Sequence, residues 1–234
     1  MRKDWIRVDC PRHAPLWAFV EERLPPGELA HDRSHIQRVY QWAVRLAPEA
    51  DASVDLCGAA ALVHDLVTIP KDHPNRSLGG EQSALAAGPL LPKVGYSSGD
   101  VAAIVEAVRT SSWSRGWSPT GAIGRVLQDA DRLDAIGAVG IARVFACAQE
   151  MSRPDSPGRF YHPNDPLARS ERPLDDRRQA VDHFRAKLLR LASGMHLSGA
   201  QHEARQRQEA MNAFLSALER ELSELDDAVG RVCG

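Results

Sequence analysis

Asp51-Ala52-Ser53-Val54-Asp55-Leu56-Cys57-Gly58-Ala59-Ala60-Ala61-Leu62-Val63-His64-Asp65 is the stretch that decides the fold. At 3.6 residues per turn, Val54, Leu56, Cys57, Ala60, Ala61 and Val63 make a helix apolar on almost all sides, with Asp51 or Ser53 as its cap. Such a helix belongs at the centre of a bundle, and Pro70 is expected to end its extension. Its last two residues do not fit that setting. An ionised carboxylate left buried and unpaired costs several kcal/mol, so Asp65 beside His64 calls for a cation or strong donors.

The flanking segments share the period. After the cap Asp32, Ser34 to Ala47 places Ile36, Val39, Tyr40, Ala43 and Leu46 on one stripe. Helices are expected over Glu81 to Leu91, Asp100 to Arg109, Ile123 to Ile136 and Gly137 to Glu150, and no segment alternates convincingly at two residues. Pro154, Pro157, Gly158, Pro163 and Pro166 make 153–172 an irregular loop, of the length that is usually functional or disordered. Pro173 is expected to start a helix carrying Val181, Phe184, Leu188 and Leu191. A last helix, about 199–228, places Met211, Phe214, Leu215, Leu218, Leu222 and Leu225 on a seam that suits packing on the domain or a homodimer. The expectation is one all-α domain over 1–234, with its core at about 28–192.

Composition narrows the classes of function. In 234 residues, 29 Lys and Arg oppose 31 Asp and Glu for a net charge of −2, which argues against holding nucleic acid by bulk charge. No apolar run approaches the ~20 residues of a membrane span, and no apolar stretch follows the N-terminal Met1-Arg2-Lys3-Asp4-Trp5 as in a signal peptide. Cys10, Cys57, Cys147 and Cys233 are far apart, so a disulfide scaffold or cysteine zinc site is not expected and a cytoplasmic setting is.

Two more residues share the problem posed by His64 and Asp65. Asp131 lies four residues after Leu127, near an apolar stripe, and His35 sits in the first turn of its helix beside Ile36. Two imidazoles and two carboxylates on three helices suit one divalent ion of the Mn, Fe, Ni, Zn or Mg type. A lone histidine in a helix is more often a satisfied core or surface residue, so spacing alone leaves both readings open. His31, four residues before His35, reads either as a residue supporting that histidine from behind or, the favoured reading, as a loop residue ahead of the cap.

These residues resemble the H…HD…D signature of the HD-domain metal-dependent phosphohydrolases. The likeness extends through Ala60 to Asp72, Leu127 to Gly137 and Asp182 to Leu189, covering roughly 28–220, and points to the branch of small stand-alone hydrolases that includes nucleotide pyrophosphohydrolases. It implies an HD-type helical bundle in which His35, His64, Asp65 and Asp131 hold one divalent metal (Mn, Mg, Ni, Co, Fe or Zn). It further implies a metal-activated water, with Asp65 and Lys71 as catalytic groups, and a small phosphorylated substrate such as a nucleotide. Lys71, Arg76, Arg132, His183 and Lys187 are the candidates for holding its phosphates. Thr110-Ser111-Ser112-Trp113-Ser114 holds no histidine where many relatives carry one for a second metal. The alternatives are an HD-fold di-iron oxygenase and a non-catalytic nucleotide-binding module. Phe160-Tyr161-His162 reads either as a base-stacking element or as a pin for its loop.

Overall fold

The computed structural model describes residues 5–25, 27, 29–70, 73–112 and 115–232, with side chains as far as 224. It divides into two compact units, Met1–Asp134 with Met195–His202, and Ala135–Gly194 with Glu203–Gly234. The described residues form no β-strand, only isolated bridges.

The first unit contains α1 (His13–Glu21), α2 (Arg33–Leu46), α3 (Val54–Val63), α4 (Gly79–Ala87), α5 (Ser98–Arg109) and α6 (Ala122–Asp134). α2 starts where the Asp32 carboxylate accepts the His35 amide at 2.9 Å, and its stripe from Ile36 to Leu46 is buried as the period requires. α2 packs on both α3 and α6. α3 is capped by Ser53, whose Oγ accepts from the Leu56 amide, whereas Asp51 ends a preceding 3-10 turn with φ of 50°. Every α3 residue from Cys57 to Val63 is buried, as expected of a central helix.

α3 stops well short of Pro70. His64 occupies its C-cap, and the His64 Nδ1–H donates to the Ala61 carbonyl at 2.8 Å. That bond satisfies one of the last-turn carbonyls left without an intrahelical partner, so the chain turns at His64 without a proline. α4 likewise ends at Ala87 instead of Leu91: Gly88 keeps helical angles as its C-cap, but Pro89 has no amide hydrogen with which to continue the ladder.

A long α9 (Ser198–Val232) begins in the first unit, anchored by two carboxylates. Glu49 accepts from the Ser198 hydroxyl at 2.8 Å and from the Gly199 amide, placing negative charge at the helix N-terminus. Asp129, fully buried on α6, accepts from the His196 and Leu197 amides at 2.8–3.0 Å.

The second unit holds α7 (Gly137–Met151), a π-turn Phe184–Leu188 running into α8 (Leu189–Leu191), and the rest of α9. The helix expected from Pro173 begins about ten residues later, so that Phe184, Leu188 and Leu191 are helical and the stretch from Pro173 to Val181 is not. The Arg172 guanidinium instead forks onto the fully buried Asp182 at 2.6 and 2.7 Å, and Asp182 also accepts the Asp175 amide. The backbone of 178–181 pairs with Arg159 and Phe160 across the loop, which withdraws those amides from any helical ladder. The 153–172 segment is irregular as expected and is tied down by Asp165, which receives Arg172 and caps Arg169 and Ser170. Phe160 meets Phe145 edge-on at 5.7 Å, and Phe184 stacks on Phe214. On the α9 seam Met211 is buried and Phe214, Leu215, Leu218 and Leu222 are half-buried; the Leu225 side chain lies outside the described residues.

One close approach in the first unit requires glycine. A Cβ on Gly58 would come within 2.5 Å of His13 Cε1 and 3.0 Å of Tyr40 Cε2. Alanine gains about 1 kcal/mol of helix propensity there, but overpacking typically costs about 1–3 kcal/mol, and both rings are fully buried. Gly58→Ala should therefore lower the urea midpoint with an unchanged m-value; a midpoint at or above wild type would show that α1 yields freely.

Candidate metal centre

The first turn of α2, the C-cap of α3 and the last turn of α6 bring four side chains together. His35 Nε2 lies 3.2 Å from His64 Nε2, 3.4 Å from Asp65 Oδ2 and 3.8 Å from Asp131 Oδ1. His64 Nε2 lies 3.6 Å from Asp65 Oδ2 and 3.8 Å from Asp131 Oδ1.

The far sides of the two rings fix their protons. His35 Nδ1 is 2.7 Å from an Asp134 carboxylate oxygen, and His64 Nδ1 is 2.8 Å from the Ala61 carbonyl. Both partners accept only, so each Nδ1 must carry the hydrogen, and in neutral rings each Nε2 then presents a lone pair. Two lone pairs facing each other at 3.2 Å cannot hydrogen-bond. A cation between them, with two carboxylates alongside, satisfies all four groups at once, and this donor set suits a divalent ion.

Burial divides the cluster. His35 and His64 are essentially fully buried, whereas the Asp65 and Asp131 side chains are 30 % and 34 % exposed. The imidazoles form a closed floor and the carboxylates an open rim. Structural metal sites are closed by protein ligands, and catalytic ones keep a position open. Asp131 is thus not the buried charge its place near an apolar stripe implies. Burial alone would raise the Asp65 carboxyl, but His64, His35 and His31, when protonated in the absence of a metal, outweigh that and hold it well below the usual carboxylate range.

Some participants are absent from the sequence reading. Asp134, 1 % exposed, also receives Arg38 at 2.5 and 3.1 Å, so a buried carboxylate orients His35 and is itself neutralised. The signal was present: Asp134 follows Asp131 by three residues, on the same face of α6. His31 is no mere loop residue, being 7 % exposed with its ring edge-on to His35 at 5.6 Å.

The expected phosphate-binding residues are placed variously. Arg132 is buried on α6, donating to Gln128 Oε1 at 2.6 Å, with His196 Nε2 2.9 Å from that same oxygen, so it is no solvated surface charge. Burial pulls its pKa down, against the pull of Asp129 and Asp131. Arg76 lies half-buried on a 3-10 turn, Arg76–Leu78, after the His64-Asp65 pair. His183 and Lys187 belong to the second unit, where His183 pairs with Asp176 at 2.7 Å. Lys71 lies outside the described residues, as do Trp113 and Ser114.

Comparison with known proteins converges on the same segment. The HD domain family model matches residues 33–136, the span that holds all four clustered residues and Asp134. YpgQ of Bacillus subtilis is 31 % identical over 212 residues, covering 89 % of this chain and 92 % of that protein. A crystal structure of YpgQ in complex with ADP superposes with a TM-score of 0.65 at 30 % identity, covering 89 % of this chain and 97 % of that one. A protein from Lactobacillus plantarum gives a TM-score of 0.71 at 28 % identity, over 94 % of this chain and 99 % of its own. An HD-superfamily hydrolase from Bacillus thuringiensis gives 0.67 at 25 % identity, over 91 % and 97 %.

Carboxylates that orient a metal-binding histidine typically contribute about 10–100-fold to metal affinity. Asp134→Asn should weaken Mn(II) binding by about that factor, read by competition with a metal indicator. An unchanged dissociation constant would show that the bond between Asp134 and His35 does nothing for the metal.

Proposed function

This chain belongs to the HD-domain superfamily of phosphohydrolases, and on that premise we propose that it hydrolyses nucleotides, releasing pyrophosphate from a nucleoside triphosphate. The single observation behind this reading is the cluster itself: two lone pairs face each other on a buried floor beneath two half-open carboxylates. His35, His64, Asp65 and Asp131 would hold one divalent ion. Such an ion lowers the pKa of water toward about 7 and polarises a phosphoryl oxygen. The rest falls to the chain's own groups. Asp65, on the open rim, would accept a hydrogen bond from the attacking water and aim it.

A nucleotide substrate is supported by the ADP held in the crystal structure of YpgQ, a relative similar over most of its length. Polyphosphates need cations around their non-reacting oxygens. Lys71 and Arg76, soon after His64-Asp65 in the chain, are proposed for the phosphate nearest the reaction, and Arg132 adjoins Asp131. His183 and Lys187, one turn apart, are proposed for other non-reacting phosphate oxygens.

Purified chain with Mn, Mg, Ni or Co should convert nucleoside triphosphates to monophosphate and pyrophosphate. His64→Ala and Asp131→Ala should abolish this while leaving the helical circular-dichroism signal near wild type. Release of orthophosphate alone, or undiminished turnover in either variant, would reject the assignment.

The two lysines separate binding from chemistry. Charge-assisted hydrogen bonds contribute roughly 1.5–3 kcal/mol, and loss of uniform binding raises KM while loss of transition-state contacts lowers kcat. Lys187→Ala should raise KM with kcat nearly unchanged, and Lys71→Ala should lower both kcat and kcat/KM. Wild-type constants in both variants would mean that the phosphates are held elsewhere.

A further inference from the structure

The carboxylates on the rim are not locked by burial, so their aim depends on the backbone that carries them. For Asp65 that backbone is pinned at two points. On one side His64 closes α3 through its bond to the Ala61 carbonyl. On the other, two residues after Asp65, the Val67 amide donates to Ser83 Oγ at 3.0 Å, and the Ser83 hydroxyl donates more weakly to the Val67 carbonyl at 3.4 Å. We propose that Ser83 is a positioning residue for the metal centre: by gripping Val67 it fixes the turn 64–67 and aims the Asp65 carboxylate at the ion and the attacking water. This rests on the metal centre and on the role of Asp65 given above.

Ser83 lies on α4 and is fully buried, so its hydroxyl needs partners. A serine inside a helix often turns its hydroxyl to a carbonyl one turn back. Here it reaches off the helix, to both backbone groups of one residue in a turn sixteen positions earlier. α4 is a firm base for that grip. Gly79, one turn before Ser83 on the same face, lies against the same peptide, since a Cβ there would sit 3.8 Å from the Val67 carbonyl oxygen. Its neighbour Gly80 meets the end of α5, where a Cβ would come within 3.1 Å of the Val108 carbonyl oxygen and 3.4 Å of that of Arg109. Those are backbone atoms and do not step aside. α4 is therefore set closely against both the turn after α3 and the last turn of α5.

The short span makes the grip effective. Asp65 is one residue from the first pin and two from the second, and a residue covers at most about 3.6 Å of chain, so its flanking peptides cannot swing far while both pins hold. Released at Val67, the carboxylate is free to turn toward the solvent it already faces with 30 % of its side chain. Asp65 serves both as ligand and as the group that aims the water, so the loss should appear in both functions. Supporting residues behind a metal ligand typically contribute about 10–100-fold to affinity, and misplacing a reacting group by about 1 Å can cost about 100-fold in rate. Ser83 is buried beneath the turn, and phosphate binding is left to the cationic groups named above.

Ser83→Ala in the full chain removes the grip without weakening α4, since alanine is the better helix former. It should weaken Mn(II) binding about tenfold, read by competition with a metal indicator, and at saturating Mn(II) lower kcat about tenfold with KM near wild type. Leu85→Gly, at a position of α4 that is 70 % exposed, loosens the helix but keeps the hydroxyl, and should leave both quantities at wild type. Wild-type Mn(II) affinity and kcat in Ser83→Ala would overturn the proposal, as would equal losses in Leu85→Gly, which would trace the effect to the stability of α4. A wild-type chain that binds Mn(II) but hydrolyses no nucleotide would contradict the substrate reading alone, and Mn(II) affinity would then decide the role of Ser83. A wild-type chain that binds no Mn(II) would overturn both.

Discussion

Two imidazole nitrogens aimed at each other across 3.2 Å constrain everything around them. Each lone pair is aimed by a bond on the far side of its ring: His35 to a buried carboxylate, His64 to the last turn of its own helix. Neither bond is easily given up. Asp134 would leave Arg38 without its counter-ion, and the Ala61 carbonyl would lose the donor that closes α3. The bundle thus holds a cation-binding geometry as a by-product of satisfying its own buried polar groups. The proposed metal would sit where this network aims two imidazole nitrogens and two carboxylates.

Helix ends do most of the positioning. His35 lies in the first turn of α2, with its own amide held by Asp32, and His64 is the C-cap of α3. Chain termini of helices are where side chains can reach both the core and the surface, which is why the imidazoles are buried while Asp65, one residue on, opens to solvent. Small residues Ala59, Ala60 and Ala61 keep α3 thin enough for α2 and α6 to approach from two sides.

The fold was largely legible because its helices are set by local periodicity and caps. The stripe of α2 and the all-round apolar α3 follow from the sequence pattern and match the structure. The segment after Pro173 was not legible, because the Arg172 fork on Asp182 and the pairing of 178–181 with 159–160 are contacts between separated residues that no local pattern announces. For the site, the placing of polar groups against apolar helices picked out His64, Asp65, Asp131 and His35, and the likeness to the HD signature joined the four into one ligand set. Asp134 escaped notice although the argument used for Asp131 applies to it more strongly, since it is the one of the two that is buried.

The central claim is that one divalent ion lies among His35, His64, Asp65 and Asp131. Anomalous diffraction from crystals of the full chain grown with Mn(II) tests it most directly. The account predicts a single strong peak in this cluster, within roughly 2.0–2.3 Å of both Nε2 atoms and of an oxygen from each carboxylate, with Asp134 still bonded to His35 Nδ1. A peak bound through other residues, or imidazoles rotated away from one another around an empty centre at saturating Mn(II), would contradict it.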